Sequence, residues 1–480
     1  MKAGAIHKTF FAAALAMGAV AAFFSALLQN FYLLAVPVTL VVIYFALQFP
    51  QLLLYGLIAS VPWSVQTEVT AALSTDLPDE PLMLLCALAA LVLIISRKEN
   101  MQWRWHPVSV ILLLMMIWMG VTVVLSSDKI ISLKYLLAKS WYLLAFTAAP
   151  LLLLRTKTEV RRAGAVLICS MLGVVLLTMV RHAEKGFSFE GINDALQPFY
   201  INHVNYSALL VCTLPPLVTA ISFAGKKYRA LFLMALVLGI VAVYFSYSRG
   251  AWLALAAGTI SYWLVRKRII VFTFILILFT TLAAVWWFHK DDRYLEYAHD
   301  HNTTIFHEDF REHLVATYQL KDVSNAERFY RWIAGVRMTG DSWRTGFGPN
   351  TFYSHYKSYT IPAFKTWVSN NPEHSTVHNY FLLLLIEQGV PGLILFVVLL
   401  ALLFSCAQKI YHRAIDPFWK SVSVAMASVL TMICTVNFLS DLIEADEVGS
   451  IFFLCIAVLI IADRQTKKES DPAPHIERVA

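Results

Sequence analysis

Apolar runs close to twenty residues long recur almost from end to end of the chain, separated by short polar breaks. A helix needs about 20 such residues to cross the hydrocarbon core of a bilayer. On that criterion the pattern predicts spans near 9–29, 31–49, 51–64, 81–96, 108–126, 140–154, 163–181, 204–223, 229–247, 250–265, 269–288, 390–407, 417–438 and 449–463, about fourteen in all. The third is short enough to be a re-entrant segment. The expected fold is all-α, a polytopic membrane helix bundle of about 12–14 transmembrane helices. One stretch breaks the rhythm: from about His289 to Val377 the chain is polar and rich in aromatic residues. A connection that long inside a compact protein is usually functional. Its RFYRWIAGVRM piece has helical spacing and GFGPNTFY reads as a turn, so a small, mainly helical cap is expected there. The expected organisation is spans 1–11 over residues 1–288, the loop domain and its return to the membrane over 289–389, spans 12–14 over 390–463, and a disordered tail over 464–480.

Composition strengthens the membrane reading. Of 480 residues, 59% are hydrophobic and 14% charged, against about a quarter charged in ordinary soluble domains. The net charge of +7 does not point to nucleic acid, because the basic excess lies in short loops between spans. Arg97/Lys98/Arg104, Arg155/Lys157/Arg161/Arg162, Lys226/Lys227/Arg229, Arg266/Lys267/Arg268, Lys409/Arg413 and Arg464/Lys467/Lys468 alternate with short loops, such as 65–80 and 439–448, that carry Asp or Glu and no Lys or Arg. The positive-inside rule therefore puts the basic set and both termini in the cytoplasm. The long segment then lies on the outer side of the membrane. The six cysteines all fall within apolar runs, so neither a disulfide framework nor a cysteine-based metal site is expected. The N-terminal apolar run continues to about Leu28 and a second span follows at once, which reads as an uncleaved first helix rather than a signal peptide.

Candidate chemistry concentrates around the long segment. In HSTVHNYFLLLLIEQGVPG, His374 and His378 would share a helix face four residues apart, with Asn379 beside them, where a span begins. An imidazole can accept a proton from a hydroxyl near neutral pH; the plainer reading is a pair of interfacial polar residues. Arg249 in SYSRGAWLALAAG stands between two apolar runs at a span boundary, where a guanidinium suits an anionic ligand or lipid phosphates. Arg328, Arg331 and Arg337 lie in ERFYRWIAGVRM, with Trp332 four residues after Arg328. Guanidinium forks match phosphate oxygens, although Glu327, four before Arg331, would also pair with it. His299, His301, His307 and His313 are interleaved with acids but match no standard metal spacing. Glu387 precedes an expected helix break at Pro391 and reads as a hydrogen-bonded structural carboxylate. No GxxxxGK[ST] loop is present, and ionisable residues are nearly missing from the middles of the spans, where ion-coupled transporters keep their coupling sites.

Taken in order, SRGAWLALAAG, RFYRWIAGVRMTGDSWRTGFGPNTF and HNYFLLLLIEQGVPGLILF resemble the motifs of the O-antigen ligase/polymerase family of bacterial integral membrane proteins. The resemblance covers roughly residues 200–410. It implies transfer of a glycan from undecaprenyl diphosphate to a sugar hydroxyl, on lipid A core (ligase) or on another lipid-linked glycan (polymerase), at the periplasmic face. By motif, Arg249 and Arg328 would hold the diphosphate and His378 would serve the acceptor hydroxyl. Arg331, Arg337, His374, Asn379 and Trp332 join them as candidate substrate contacts. No cofactor or metal is expected, and the partners are the lipid-linked donor, the acceptor and membrane lipids. Two rival readings are a GT-C type transferase using a polyprenyl monophosphate sugar, with its base among Glu68, Asp76, Asp79 and Glu80, and a transporter or flippase.

Overall fold

The computed structural model describes residues 48–70, 73–96, 102–297, 323–366, 369–371 and 374–470, with isolated positions 18, 20, 42, 44 and 46. The first two expected spans and the four histidines at 299, 301, 307 and 313 lie outside the described residues, apart from those positions and residues 48–49. The described chain is a helical membrane bundle. Its helices are α1 (Pro50–Ser60), α2 (Asp79–Ser96), α3 (Pro107–Leu125), α4 (Lys129–Leu153), α5 (Lys157–Glu184), α6 (His203–Phe223), α7 (Lys226–Phe245), α8 (Arg249–Arg266), α9 (Ile270–His289), α10 (Val323–Asp341), α11 (Tyr380–Arg413), α12 (Pro417–Leu439) and α13 (Asp446–Ser470). Among the described residues, nine helices are long and apolar enough to cross a membrane. α8 and α13 coincide with two further expected spans, and α1 is short, as its sequence suggests.

Several boundaries differ from expectation for physical reasons. The acidic 65–80 loop contains a two-stranded antiparallel hairpin, Val65–Thr70 with Leu73–Leu77. α4 begins at Lys129 because Asp128 caps it, its carboxylate accepting from the Ile130 and Ile131 amides at 3.1 Å. α13 continues to Ser470, so residues 464–470 are helix rather than tail. There the Thr466 side chain is fully buried, and Arg413 donates to its hydroxyl at 2.7 Å.

The packing fixes which ends of the helices meet. α12 is central and packs on α6, α8, α11 and α13. Against α8 it runs antiparallel: Gly250 lies near Leu439, Gly258 against Met432, and Ser261 bonds Ser428 at 2.9 Å. At the opposite end the basic loops are tied together. Lys157 pairs with Asp416 at 2.6 Å, Arg413 with Asp463 at 2.8 Å, and Gln465 donates to the Arg155 carbonyl at 2.6 Å. One end of the bundle is therefore basic; the other gathers the N-termini of α8 and α11 and the C-terminus of α12.

Candidate functional site

α11 is broken where it was expected to be. Gly389 has φ 69°, ψ −174° inside Tyr380–Arg413, and Pro391 follows without a backbone N–H. The break leaves the carbonyls of Ile386 and Glu387 without their helical donors, and both are satisfied from elsewhere: the Phe347 and Gly348 amides donate to them at 3.0 Å, while the Trp118 indole donates to the Gln388 carbonyl at 2.9 Å. In return the Val390 amide donates to the Trp343 carbonyl at 2.8 Å. The Glu387 carboxylate, itself 4% exposed, accepts from the Asn350 and Phe352 amides at 2.8 and 3.2 Å. This approach requires glycine at two points. Gly346 has φ 71° and a Cβ there would lie 2.2 Å from the Glu387 carbonyl carbon; at Gly389 it would lie 2.5 Å from the Arg344 carbonyl oxygen. The GFGPN turn and the EQG segment thus form one docked unit, which anchors the cap to the membrane helix.

From this anchor, α10 and the strand leading into α11 reach the end of α12. Arg328 donates from Nε to the Leu439 carbonyl at 3.1 Å and from Nη1 to Asn325 at 3.3 Å. Trp332, one turn on, makes an edge contact with Phe438 at 6.1 Å between ring centroids. Arg249 opens α8, whose next residue lies near Leu439. Asn379 caps α11, accepting from the Leu382 amide at 3.0 Å, while its Nδ2 donates to the Phe438 carbonyl at 3.0 Å. The Tyr380 amide donates to the Ser440 carbonyl at 3.0 Å. His378 presents Nδ1 to the Asp441 carboxylate at 3.8 Å, within ion-pair reach but longer than a hydrogen bond. Thr376 completes the corner: its hydroxyl donates to Asp441 and accepts the His378 amide at 3.3 Å. Residues 438–441 are thus the point that Arg328, Trp332, His378 and Asn379 contact, and the first turn of α8, which Arg249 opens, passes beside Leu439.

Other sequence candidates are placed differently. His374 and His378 do not share a helix face, because both have positive φ (55° and 53°) and the helix begins only at Tyr380. His374 instead stacks on Tyr353 at 3.9 Å, away from Asp441. Arg331 is 6% exposed and engaged by Glu327 at 3.3 Å and by the Thr376 carbonyl at 3.2 Å. The plainer pairing with Glu327 holds, and Arg331 is a structural tie to the 374–378 segment. Arg337 lies about half a turn round α10 from Arg328; it is exposed and donates to the Tyr359 carbonyl at 2.9 Å. Of the acids in the hairpin region, buried Asp79 accepts the Ser64 hydroxyl at 2.5 Å, and Glu80 accepts from Thr75 at 2.6 Å. Sequence reasoning missed Asp441 and Thr376. The only sequence signal for Asp441 was its place in a short acidic loop, and nothing local indicated which histidine it would meet.

Among the described residues, His106, Cys406 and Asp463 bring three potential ligand atoms within 4.8 Å of one another. They lie at the basic end, where Arg413 at 2.8 Å and Lys467 at 2.7 Å already hold the Asp463 carboxylate.

The cap of Asn379 has a measurable consequence. Asn379→Ala is expected to lower stability by about 0.5–2 kcal/mol for the lost cap. Asn379→Asp keeps the capping oxygen and is expected to lose less. Thermal unfolding of the purified variants in detergent checks the order.

Residues 234–397 match the family model described as O-antigen ligase. The search of curated proteins finds no match.

Proposed function

Starting from the O-antigen ligase family to which residues 234–397 belong, we propose that the chain transfers a glycan from undecaprenyl diphosphate to a sugar hydroxyl of lipid A core. The protein is a multi-pass membrane glycosyltransferase of the ligase/polymerase type; in this reading it lies in the inner membrane and reacts at the periplasmic face. The observation that supports it is the meeting of Arg328 and His378 on residues 439–441, beside the first turn of the helix that Arg249 opens.

In this reading the acceptor hydroxyl attacks the anomeric carbon as the bond from that carbon to the phosphate oxygen breaks. Undecaprenyl diphosphate departs with the bonding electrons, and direct displacement inverts the anomeric centre. Charge grows on the leaving diphosphate. Arg249 and Arg328 stabilise it with preorganised positive charge, and the N-terminus of α8, which Arg249 opens, adds its own positive dipole end. The hydroxyl proton passes to Nε2 of His378, since Nδ1 is turned to Asp441. Asp441 acts through His378 as a positioning residue: it favours the tautomer with the proton on Nδ1 and stabilises the imidazolium that forms. Trp332 offers an apolar face beside the arginines for a sugar ring or the first isoprene unit. A long polyprenyl chain stays in the bilayer while its head group reacts above it, which accounts for a site at the end of the helices.

The test is transfer by purified protein from undecaprenyl-diphosphate glycan to lipid A core, with and without EDTA. The reading expects a covalent product of inverted configuration at an EDTA-insensitive rate. Product only on a second lipid-linked glycan would make the chain a polymerase. Flux across liposomes without any covalent product would make it a transporter.

A further inference from the structure

A cavity of about 210 Å³ lies between α5, α6, α7, α12 and α13. The sequence accounts for it. Pro215 and Pro216 stand together inside α6, so two successive amides are missing and the helix cannot close regularly against its neighbour. On α5, the lining residues Ala163, Gly164 and Ala165 contribute almost no bulk, and a Cβ added at Gly164 would meet nothing within 4 Å. The remaining walls are largely aliphatic and aromatic, and the Thr219 hydroxyl in the lining is turned to the Pro215 carbonyl at 3.2 Å. Such walls suit a hydrocarbon chain and offer almost nothing to a sugar.

Its mouth is cationic. Arg161 belongs to the lining, is exposed, and makes no ion pair among the described residues. One turn earlier, Lys157 sits over the rings of Phe418 at 5.0 Å and Phe223 at 5.9 Å, both lining residues, with its charge met by Asp416. Lys226 and Lys227, both exposed, follow the lining residue Ala224 after one glycine. The cavity is also remote from the proposed transfer site: Phe418 stands in the first turn of α12 and Leu439 at its end, 21 residues apart along one helix, or about 32 Å.

We propose that this cavity is a binding site for an anionic phospholipid, with one acyl chain between α5, α6 and α12 and the phosphate-bearing headgroup at Arg161. Charge complementarity selects this occupant, because a neutral or zwitterionic lipid would leave the positive mouth without a net counter-charge. The site lies at the end of the bundle opposite His378, so its lipid comes from the leaflet there. It is distinct from the proposed polyprenyl donor, and the inference stands whether or not the reading of the transfer site does.

Native mass spectrometry of the full-length protein, equilibrated with phosphatidylglycerol or phosphatidylcholine of identical chains, tests this. The wild type is expected to retain phosphatidylglycerol about fivefold better, the effect of roughly one basic residue near a membrane surface. Arg161→Gln should abolish that preference, and Gly164→Leu, which fills the cavity, should lower retention of phosphatidylglycerol. Arg161 is exposed, so its substitution is not expected to impair folding, and an unchanged thermal unfolding curve checks this. Equal retention of the two lipids by the wild type, or an undiminished preference in Arg161→Gln, would overturn the proposal.

Discussion

His378→Ala is expected to lower the rate of glycan transfer by about 10²–10⁴-fold, the range in which a positioned general base contributes, with the folded protein recovered in normal yield. The side chain is 34% exposed and its imidazole carries no packing load comparable to that of its buried neighbours Val377 and Tyr380. Its loss should therefore leave the fold intact. Asp441→Asn provides the companion test. It keeps the size of the side chain and the acceptor for Thr376, but removes the charge that faces Nδ1. The expected result is a smaller fall, borne by kcat with KM held, and partial recovery in Asp441→Glu. A residue that only supported the fold would lower the yield of active protein and leave the kinetic constants of the remainder unchanged. Initial rates on purified protein, normalised to the folded fraction, separate the two outcomes, and near-wild-type turnover by His378→Ala would remove histidine from the mechanism.

The second large effect concerns the joint between cap and membrane. Glu387→Ala removes the acceptor of the Asn350 and Phe352 amides in a buried setting. Each amide left unsatisfied costs about 1–3 kcal/mol, so the variant is expected to lose about 2–6 kcal/mol. Glu387→Gln retains a side-chain oxygen acceptor and should lose markedly less. The consequence for function is indirect. The GFGPN turn follows α10, so when it detaches from the break in α11, Arg328 loses its fixed relation to Leu439 and His378. Faster proteolysis within residues 342–352 and a lower unfolding temperature, with transfer falling in parallel, are the expected readings. Equal stability of Glu387→Ala and the wild type would show that the carboxylate does not hold the turn.

The bundle was legible because hydrophobic runs of bilayer length are a strong and local signal. The break near Pro391 and the structural role of Glu387 were legible for a similar reason: proline, glycine and a lone carboxylate in an apolar run each admit few solutions. Positive φ at His374 and His378 was not legible. Four-residue spacing suggested one helix face, but Asn379 caps the helix one residue later and forces the histidines onto irregular backbone. Arg331 and Arg337 resembled Arg328 in sequence, yet position around α10 decides their roles: one is spent on Glu327 and the other is turned to Tyr359. Asp441 shows the harder limit, since its partner lies on the far side of α11 and α12 in sequence. Only the antiparallel packing of those long helices returns the chain to the same end.

The most direct measurement is a cryo-electron microscopy map of the protein in lipid nanodiscs with undecaprenyl diphosphate bound. The account predicts both phosphates at the end of α12, contacted by the guanidinium groups of Arg249 and Arg328, with the imidazole of His378 facing the distal phosphate. Phosphates held elsewhere on the molecule, or contacted by neither arginine, would contradict it.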